Sequence, residues 1–175
     1  MSYEVFIGHL SPTVMGLTSV DATLDRPIYW SRLKSGKVQR SVNSQYRLDA
    51  IGDDYFDIAA KYDLKVTWTS EEPEAKPITA LFIVCEFYGH FHGEAPISQE
   101  HARKFAEEDA WLMFWPYFRQ FVSDTTSRMS IPPVMVPITL GPGYSEAKPH
   151  IVEAERPHKQ IKPPRTKRAI KARKS

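Results

Sequence analysis

The chain has 175 residues, 42% of them hydrophobic and 25% charged, which is typical of one soluble globular domain with a core of its own. No run approaches the roughly eighteen apolar residues that a membrane-spanning helix needs, and the start, MSYEVFIGHL, lacks the regions of an export signal. The single Cys85 excludes an internal disulfide, so we expect a cytoplasmic protein.

The formal net charge of +2 is unevenly distributed. Ten Lys or Arg and two Glu lie in residues 148–175, which leaves 13 basic and 19 acidic side chains in residues 1–147. The C-terminal segment is also rich in proline and poor in large apolar residues. We therefore predict a folded domain over residues 1–143 and a basic, Pro-rich, disordered tail over residues 144–175, with a short terminal helix if an anionic partner binds it.

Strands predominate in the first half of the chain. Tyr3–Leu10 and Thr13–Val20 are predicted as short strands separated by Pro12. Residues 21–44 are turn-rich and weakly patterned, which predicts a connection that could hold an edge strand. Gln45–Asp49 is a further candidate strand.

Two longer strands are more clearly marked. Residues 55–70 alternate apolar and polar side chains, which predicts a strand with one buried face. After the loop TSEEPEAKP, residues 78–92 are apolar on both faces, as in a central strand.

Helical signals follow from Ser98, a plausible N-cap. A first helical piece, SQEHARKFAEEDA, precedes an aromatic helix that reaches about Met129. Apolar side chains recur there at spacings of three and four, at Trp111, Phe114, Trp115, Phe118, Phe121, Val122, Thr125 and Met129. The prolines of IPPVMVPITL then require an extended segment. Strands before helices predict an α+β fold with a helix on one face of an antiparallel sheet.

The sequence offers little for catalysis. In GHFHGE, strand alternation would place His90, His92 and Glu94 on one face as potential metal ligands, although such a pattern is more often plain surface. Cys85 lies in an apolar strand without an adjacent base, which indicates a buried structural thiol. Neither a nucleophile elbow nor a glycine-rich phosphate loop is present. We predict a protein that is not an enzyme, with no metal and no cofactor.

The aromatic content exceeds what one sheet and one helix bury easily. A monomer of this size rarely leaves such a contiguous apolar surface exposed, so the chain should oligomerise, or present an apolar groove to a partner, or both. The rings concerned are Trp68, Phe82, Phe87, Tyr88, Phe91, Trp111, Phe114, Trp115, Tyr117, Phe118 and Phe121.

The segment WPYFRQFVSDTTSRMSIPPVMVP resembles the helix and following strand of the SecB family of export chaperones. The shared pattern is aromatic-Pro-Tyr, an Arg two residues later, Ser-Arg near the helix end, an apolar-Pro pair and a further Pro. Its positions are filled by Trp115, Pro116, Tyr117, Arg119, Ser127, Arg128, Ile131, Pro132 and Pro137. LFIVCEF, with Cys85 and Glu86, and YDLKVTWTS are similar to two strands of the family. The likeness covers about residues 55–140.

The resemblance implies a four-stranded antiparallel sheet with a long helix packed on it. Dimers would join their sheets edge to edge and pair through their helices into a tetramer, a dimer of dimers. Pro116 would lie in the first turn of the main helix, or would kink a helix that runs through from Ser98. The implied function is a holdase that binds unfolded precursors for Sec-dependent export. Its client groove would be lined by Phe82, Val84, Tyr88, Trp115, Tyr117, Phe118, Phe121, Ile138 and Leu140.

The same resemblance leaves the partner open. Glu86 matches one acid of the surface through which SecB docks the motor SecA, but SPTVMGLTSV lacks the other acids expected, and the tail is basic. Some SecB-like proteins instead guard an antitoxin of a toxin–antitoxin system. A rival of another class is an oligomeric nucleic-acid-binding protein that acts through its basic tail.

Overall fold

The computed structural model describes residues 2–32, 36–72, 74–137, 144–146 and 150–151. Its helices and strands, in chain order, are α1 (Tyr3–Gly8), β1 (Leu10–Leu24), α2 (Arg26–Arg32), β2 (Lys37–Ile51), β3 (Tyr55–Thr69), β4 (Ile78–Gly93), α3 (Gln99–Glu108), α4 (Ala110–Arg128), β5 (Tyr144–Glu146) and β6 (His150–Ile151).

The four long strands form one antiparallel sheet in the order β1-β4-β3-β2. The chain from β2 to β4 is a meander of consecutive neighbours, and β1 pairs with β4 on the far side. The predicted α+β class and the central position of β4 are therefore confirmed. The two longest predicted strands are confirmed as β3 and β4, each within one residue at its ends.

The N-terminal third differs from the prediction. Tyr3–Leu10 was expected as a strand, but Tyr3–Gly8 is a short helix that buries Phe6 against Phe56 and stacks it on His101. Residues 21–44, expected as a connection that could hold an edge strand, contain the end of β1, the whole of α2 and the start of β2, which is the outermost of the four long strands on its side. The pattern is weak there because β1 and β2 flank the central pair and leave many side chains exposed.

Two short strands lie beyond residue 143, where the sequence predicts that the tail begins. β5 and β6 both pair with β2, in the same sheet as the long strands. Residues 152–175, the basic part of the predicted tail, lie outside the described residues.

β1 carries two irregularities that tie it to β4. The register shifts between Pro12 and Val14 and again between Leu17 and Ser19, which leaves Thr13 and Thr18 as the extra residues. Both threonine hydroxyls donate to carbonyls of β4: Thr18 Oγ1 lies 2.9 Å from Glu86 O, and Thr13 Oγ1 lies 3.4 Å from His90 O. The two bulge residues thus add side-chain bonds where the backbone ladder is interrupted.

The core lies between the sheet and α4. Alternate residues of β3 and β4 face the helix and are buried, including Tyr62, Leu64, Ile83 and Cys85. Tyr46 and Tyr62 share a buried hydrogen bond of 2.8 Å between their hydroxyls, which satisfies two polar groups that would otherwise be costly in the core.

Cys85 has no exposed surface, which confirms the prediction of a buried thiol. Burial raises its pKa to about 12, so almost no thiolate forms near neutral pH.

We expect a disulfide reagent to leave Cys85 unmodified in the native protein at pH 8 and to modify one thiol per chain after unfolding in denaturant. Absorbance of the released thiol reports this, and rapid native labelling would contradict the placement.

The helical region confirms the predicted start and end. Ser98 caps α3 by accepting a 3.1 Å bond from His101 N, and α4 ends at Arg128. The chain breaks between the two helices at Asp109, whose carboxylate accepts a 2.5 Å bond from Tyr3 Oη. Both expectations for Pro116 are corrected: it is the seventh residue of α4, in neither the first turn nor a helix continuous from Ser98.

Candidate functional site

The residues predicted to line one groove occupy two sides of the sheet. Phe82, Val84 and Tyr88 alternate along β4 with the buried core residues, so they lie on the face away from α4 and are half-buried. The aromatic residues of α4 lie on the opposite face or beyond it. Ile138 and Leu140 lie outside the described residues.

Two of the predicted groove rings belong to the core. Phe118 is 0% exposed and stacks on Tyr62 with ring centroids 4.6 Å apart. Trp115 is also buried, 6.0 Å from Tyr62 and 5.5 Å from Phe118. In the single chain these rings fill the space between the helix and the sheet. Phe121 is only partly buried, in an edge contact with Phe87 at 6.2 Å.

Three exposed apolar side chains lie in the first half of α4. Leu112 is 54% exposed and Tyr117 51%, and Trp111 is also exposed. We name these three residues the α4 surface. Tyr117 is among the predicted groove residues, and Trp111 belongs to the predicted apolar stripe of the helix, which does not include Leu112. Leu112 lies five residues before Tyr117, a spacing that puts the two side chains on different sides of a helix, so helical periodicity gives no signal for it.

A second uncovered apolar area lies on β1. Leu17 pairs with Phe87 and Val20 with Cys85, so both side chains face the helix side of the sheet. They are nevertheless 46% and 49% exposed. We name Leu17 and Val20 the β1 surface. On a strand with no neighbour on its outer side in the described sheet, these side chains extend the core to an open edge.

Residues 131–137 run back along α4, and hydrogen bonds attach them to the helix. Arg119 Nε donates to Val136 O at 2.7 Å, and Trp115 Nε1 donates to Pro137 O at 3.1 Å. Val134 N donates to Thr126 Oγ1 at 3.0 Å, with both groups buried. The segment is extended, as its prolines predict.

Thr126→Val tests this attachment. The substitution keeps the shape but removes the acceptor of the buried Val134 N–H and the donor to Val122 O, so the free energy of unfolding should fall by about 1–3 kcal/mol. Ser127→Ala is the matched control, since that exposed hydroxyl bonds only to Ser123 O among the described contacts. Denaturant titrations of both variants give the comparison, and equal losses would contradict the buried role of Thr126.

The outer face of the sheet is polar and of mixed charge. Glu86, the residue matched to the SecA-docking surface, lies 3.5 Å from Arg47 Nη2 and pairs across the sheet with Lys61. Asp57 accepts from His90 Nδ1 at 2.6 Å and also bonds the Tyr88 hydroxyl. Burial, and then this carboxylate, raise the pKa of Tyr88 to about 12, so the phenol stays protonated near neutral pH.

The candidate metal ligands have separate partners. His90 bonds Asp57, His92 lies 3.7 Å from Asp54, and Glu94 accepts from His9 at 2.8 Å. Within the described ranges, no group of three or more His, Cys, Asp or Glu side chains is close enough to hold a metal ion. Strand alternation does put His90 and His92 on one face, but pairing directs them to different carboxylates.

Comparison with known proteins adds a structural likeness. No protein-family model matches the sequence, and no curated protein matches it significantly. The structure is similar to the SecB-like chaperone Rv1957 of Mycobacterium tuberculosis, solved in complex with a ChAD peptide from the Rv1956 HigA1 antitoxin, with a TM-score of 0.58 and 17% sequence identity. The match covers 78% of this chain and 94% of that one. The chain has the SecB-like fold.

A second structure, a protein of unknown function from Streptococcus agalactiae, matches at a TM-score of 0.37 and 10% identity, over 74% of this chain and 97% of that one. The SecB-like fold confirms the four-stranded antiparallel sheet that the resemblance implied.

Among the helices of the described residues, none combines the length and apolar character that crossing a membrane requires.

Proposed function

We propose that the protein is a chaperone that binds unfolded polypeptides and holds them without enzymatic chemistry or a cofactor. The observation that carries the proposal is the apolar area that one chain leaves uncovered at the α4 and β1 surfaces. The SecB-like fold supports it, because the similar Mycobacterium tuberculosis protein is a chaperone in complex with a peptide.

Such binding relies on apolar contacts, which do not require one particular orientation of the client. The rings of Trp111 and Tyr117 offer large apolar area at little entropic cost, and Met135, 67% exposed, adds an adaptable side chain. An unfolded client brings apolar segments that its folded form conceals. Because the protein binds only the unfolded form, it delays folding and aggregation by mass action without nucleotide hydrolysis.

Two client classes remain proposals: precursors for Sec-dependent export in the cytoplasm, and an antitoxin. The similar structure binds an antitoxin peptide, which favours the second class. The pairing of Glu86 with Arg47 and Lys61 weighs against an acidic SecA-docking surface. Binding of purified SecA by the wild type, and its loss in Glu86→Lys, would instead favour export.

We propose a homo-oligomer, formed first through the open edge of β1 and then, as a dimer of dimers, through the helices. Joining two β1 strands would place the β1 surfaces of both copies side by side and cover them. The helix pairing would cover part of the α4 surface, so client binding uses the apolar area that assembly leaves free.

Light scattering tests the function directly. The full-length protein is mixed with an unfolded, export-competent precursor, with the same precursor folded, and with an aggregation-prone antitoxin. A stable complex with unfolded chains only, together with suppressed aggregation, is the expected result. Tyr117→Ser should reduce capture, while Gln120→Ser, an exposed polar change one turn along α4, should not. A protein that ignores every unfolded chain would contradict the proposal.

The predicted groove residues Phe82, Val84 and Tyr88 give a separate prediction for the outer face. Tyr88→Ser should weaken client capture several-fold, with melting changed by little because the ring is only half-buried. Lys65→Ser is the control, because Lys65 is an exposed residue of β3 on the same face of the sheet as Tyr88. Binding titrations and thermal melts check both, and equal loss of capture and stability in Tyr88→Ser would show a structural role instead.

A further inference from the structure

The edge of β2 is occupied by a distant part of the same chain. Residues 144–146 of β5 pair with residues 40–42 of β2, and residues 150–151 of β6 pair with Gln45 and Tyr46. Both pairings are parallel, whereas all pairings among the four long strands are antiparallel. β5 and β6 are therefore additions to a meander that is complete without them.

The addition covers only part of the edge. β2 is 15 residues long, while β5 and β6 contribute three and two residues. Among the described residues, β2 has no partner on this edge at Lys37–Gln39 or at Arg47–Ile51. A strand that followed β2 over its whole length would form more backbone hydrogen bonds than β5 and β6 do.

This edge also borders the core. Val42 and Tyr46, two of the β2 residues in register with β5 and β6, are buried on the helix side of the sheet. A strand added here would lie beside them, and every second side chain would fall on that same side. The edge thus offers backbone hydrogen bonds to any extended chain. It also offers apolar contacts to a chain in which apolar and polar residues alternate.

We propose that an unfolded client adds to the edge of β2 as a strand, and that β5 and β6 occupy the same edge until the client displaces them. The inference rests on the proposed chaperone function and assigns a site to it. Backbone groups supply most of the bonding, which suits clients of unrelated sequence. β5 and β6 hide the edge from other sheets when no client is present.

Competition in cis also sets which clients bind. When β5 and β6 occupy the edge in most chains, the apparent affinity for a client falls in proportion to the fraction of chains with a free edge. Short extended segments would gain too few bonds to displace them. Long unfolded segments with alternating apolar residues would displace β5 and β6. The competition therefore favours clients that have long extended segments.

A reversible disulfide tests the inference in the full-length chain. Ser41 and Ser145 are register partners, and neighbouring strands lie about 4.8 Å apart, within the range that a disulfide spans. S41C/S145C should cross-link on oxidation, which locks β5 on β2, and Cys85 should not interfere because it is buried. Oxidised protein should bind an unfolded, cysteine-free client at least tenfold more weakly than the same protein after reduction. S145C alone should bind equally under both conditions.

The outcomes separate this inference from the chaperone proposal. Equal client binding by the oxidised and reduced double variant would overturn the β2 site while leaving the chaperone function in place. Failure of the two cysteines to cross-link would overturn the placement of β5 and the inference with it. If the wild type and the reduced variant both ignore unfolded clients, the chaperone function and the inference fall together.

Discussion

Phe118→Ala is expected to lower the free energy of unfolding by about 3–5 kcal/mol. The Phe118 ring is fully buried, stacks on Tyr62 and touches the ring of Trp115, so alanine would leave a cavity between α4 and the sheet. A loss of that size corresponds to a fall in melting temperature of roughly 6–20 °C for a chain of this length. Urea titrations followed by circular dichroism measure it at one fixed protein concentration, because an oligomer adds a concentration term.

Tyr117→Ala provides the matched control. It removes a ring from the adjacent position of α4, but that ring is half exposed, so stability should change by no more than about 0.5 kcal/mol. The pair separates core from surface within one helical turn. If the two variants lost the same stability, α4 would not pack on the sheet in the described orientation.

The double substitution Leu17→Lys with Val20→Lys is expected to dissociate the proposed homo-oligomer. Two copies joined at β1 would bring four ammonium groups together beside apolar side chains, where charges are costly and repel one another. Within a single chain both positions are about half exposed, so the fold should persist. Light scattering coupled to size-exclusion chromatography should show the mass fall to that of one 20.1 kDa chain.

Val5→Lys controls for the added charge, because Val5 is exposed to a similar extent but lies on α1. Its mass should match that of the wild type. An unchanged mass in the Leu17 and Val20 variant, with normal circular dichroism, would place the assembly interface elsewhere. A monomeric wild type would contradict the assembly proposal altogether.

The central strands were predictable because their side chains obey a simple period. In β3 the buried residues Tyr62, Leu64, Val66 and Trp68 alternate with polar or exposed ones over a long run, and a period of two has no other common explanation. In β4 the same face continues through Ile83 and Cys85. Burial by α4 on one side and pairing on both edges leave these strands little freedom, so sequence and structure agree.

The short and peripheral elements could not be predicted in the same way. α1 has only six residues, and its apolar spacing fits a strand or a helix until Phe6 finds its partners Phe56 and His101. β2 is polar at Ser41, Asn43 and Gln45 because those positions face away from the core. Propensity is a weak guide where tertiary contacts decide.

The sequence identifies the apolar residues of the candidate site, but it does not tell which of them are exposed in the folded chain. Helical spacing identified the stripe that includes Trp115 and Phe118, yet only the position of the sheet shows that these rings are covered and Tyr117 is not. Strand alternation already separates Phe82 and Tyr88 from the helix side. A client groove that combines them with residues of α4 stays a prediction.

The strand order has a consequence for the newly synthesised chain. Strands β2, β3 and β4 can pair as soon as each leaves the ribosome, whereas β1 must wait for β4, with Thr18 and its acceptor Glu86 separated by 68 positions. Closing so long a loop is slow relative to hairpin formation. During translation β1 would remain an unpaired apolar segment, so for a time this chain would itself resemble the clients that we propose it binds.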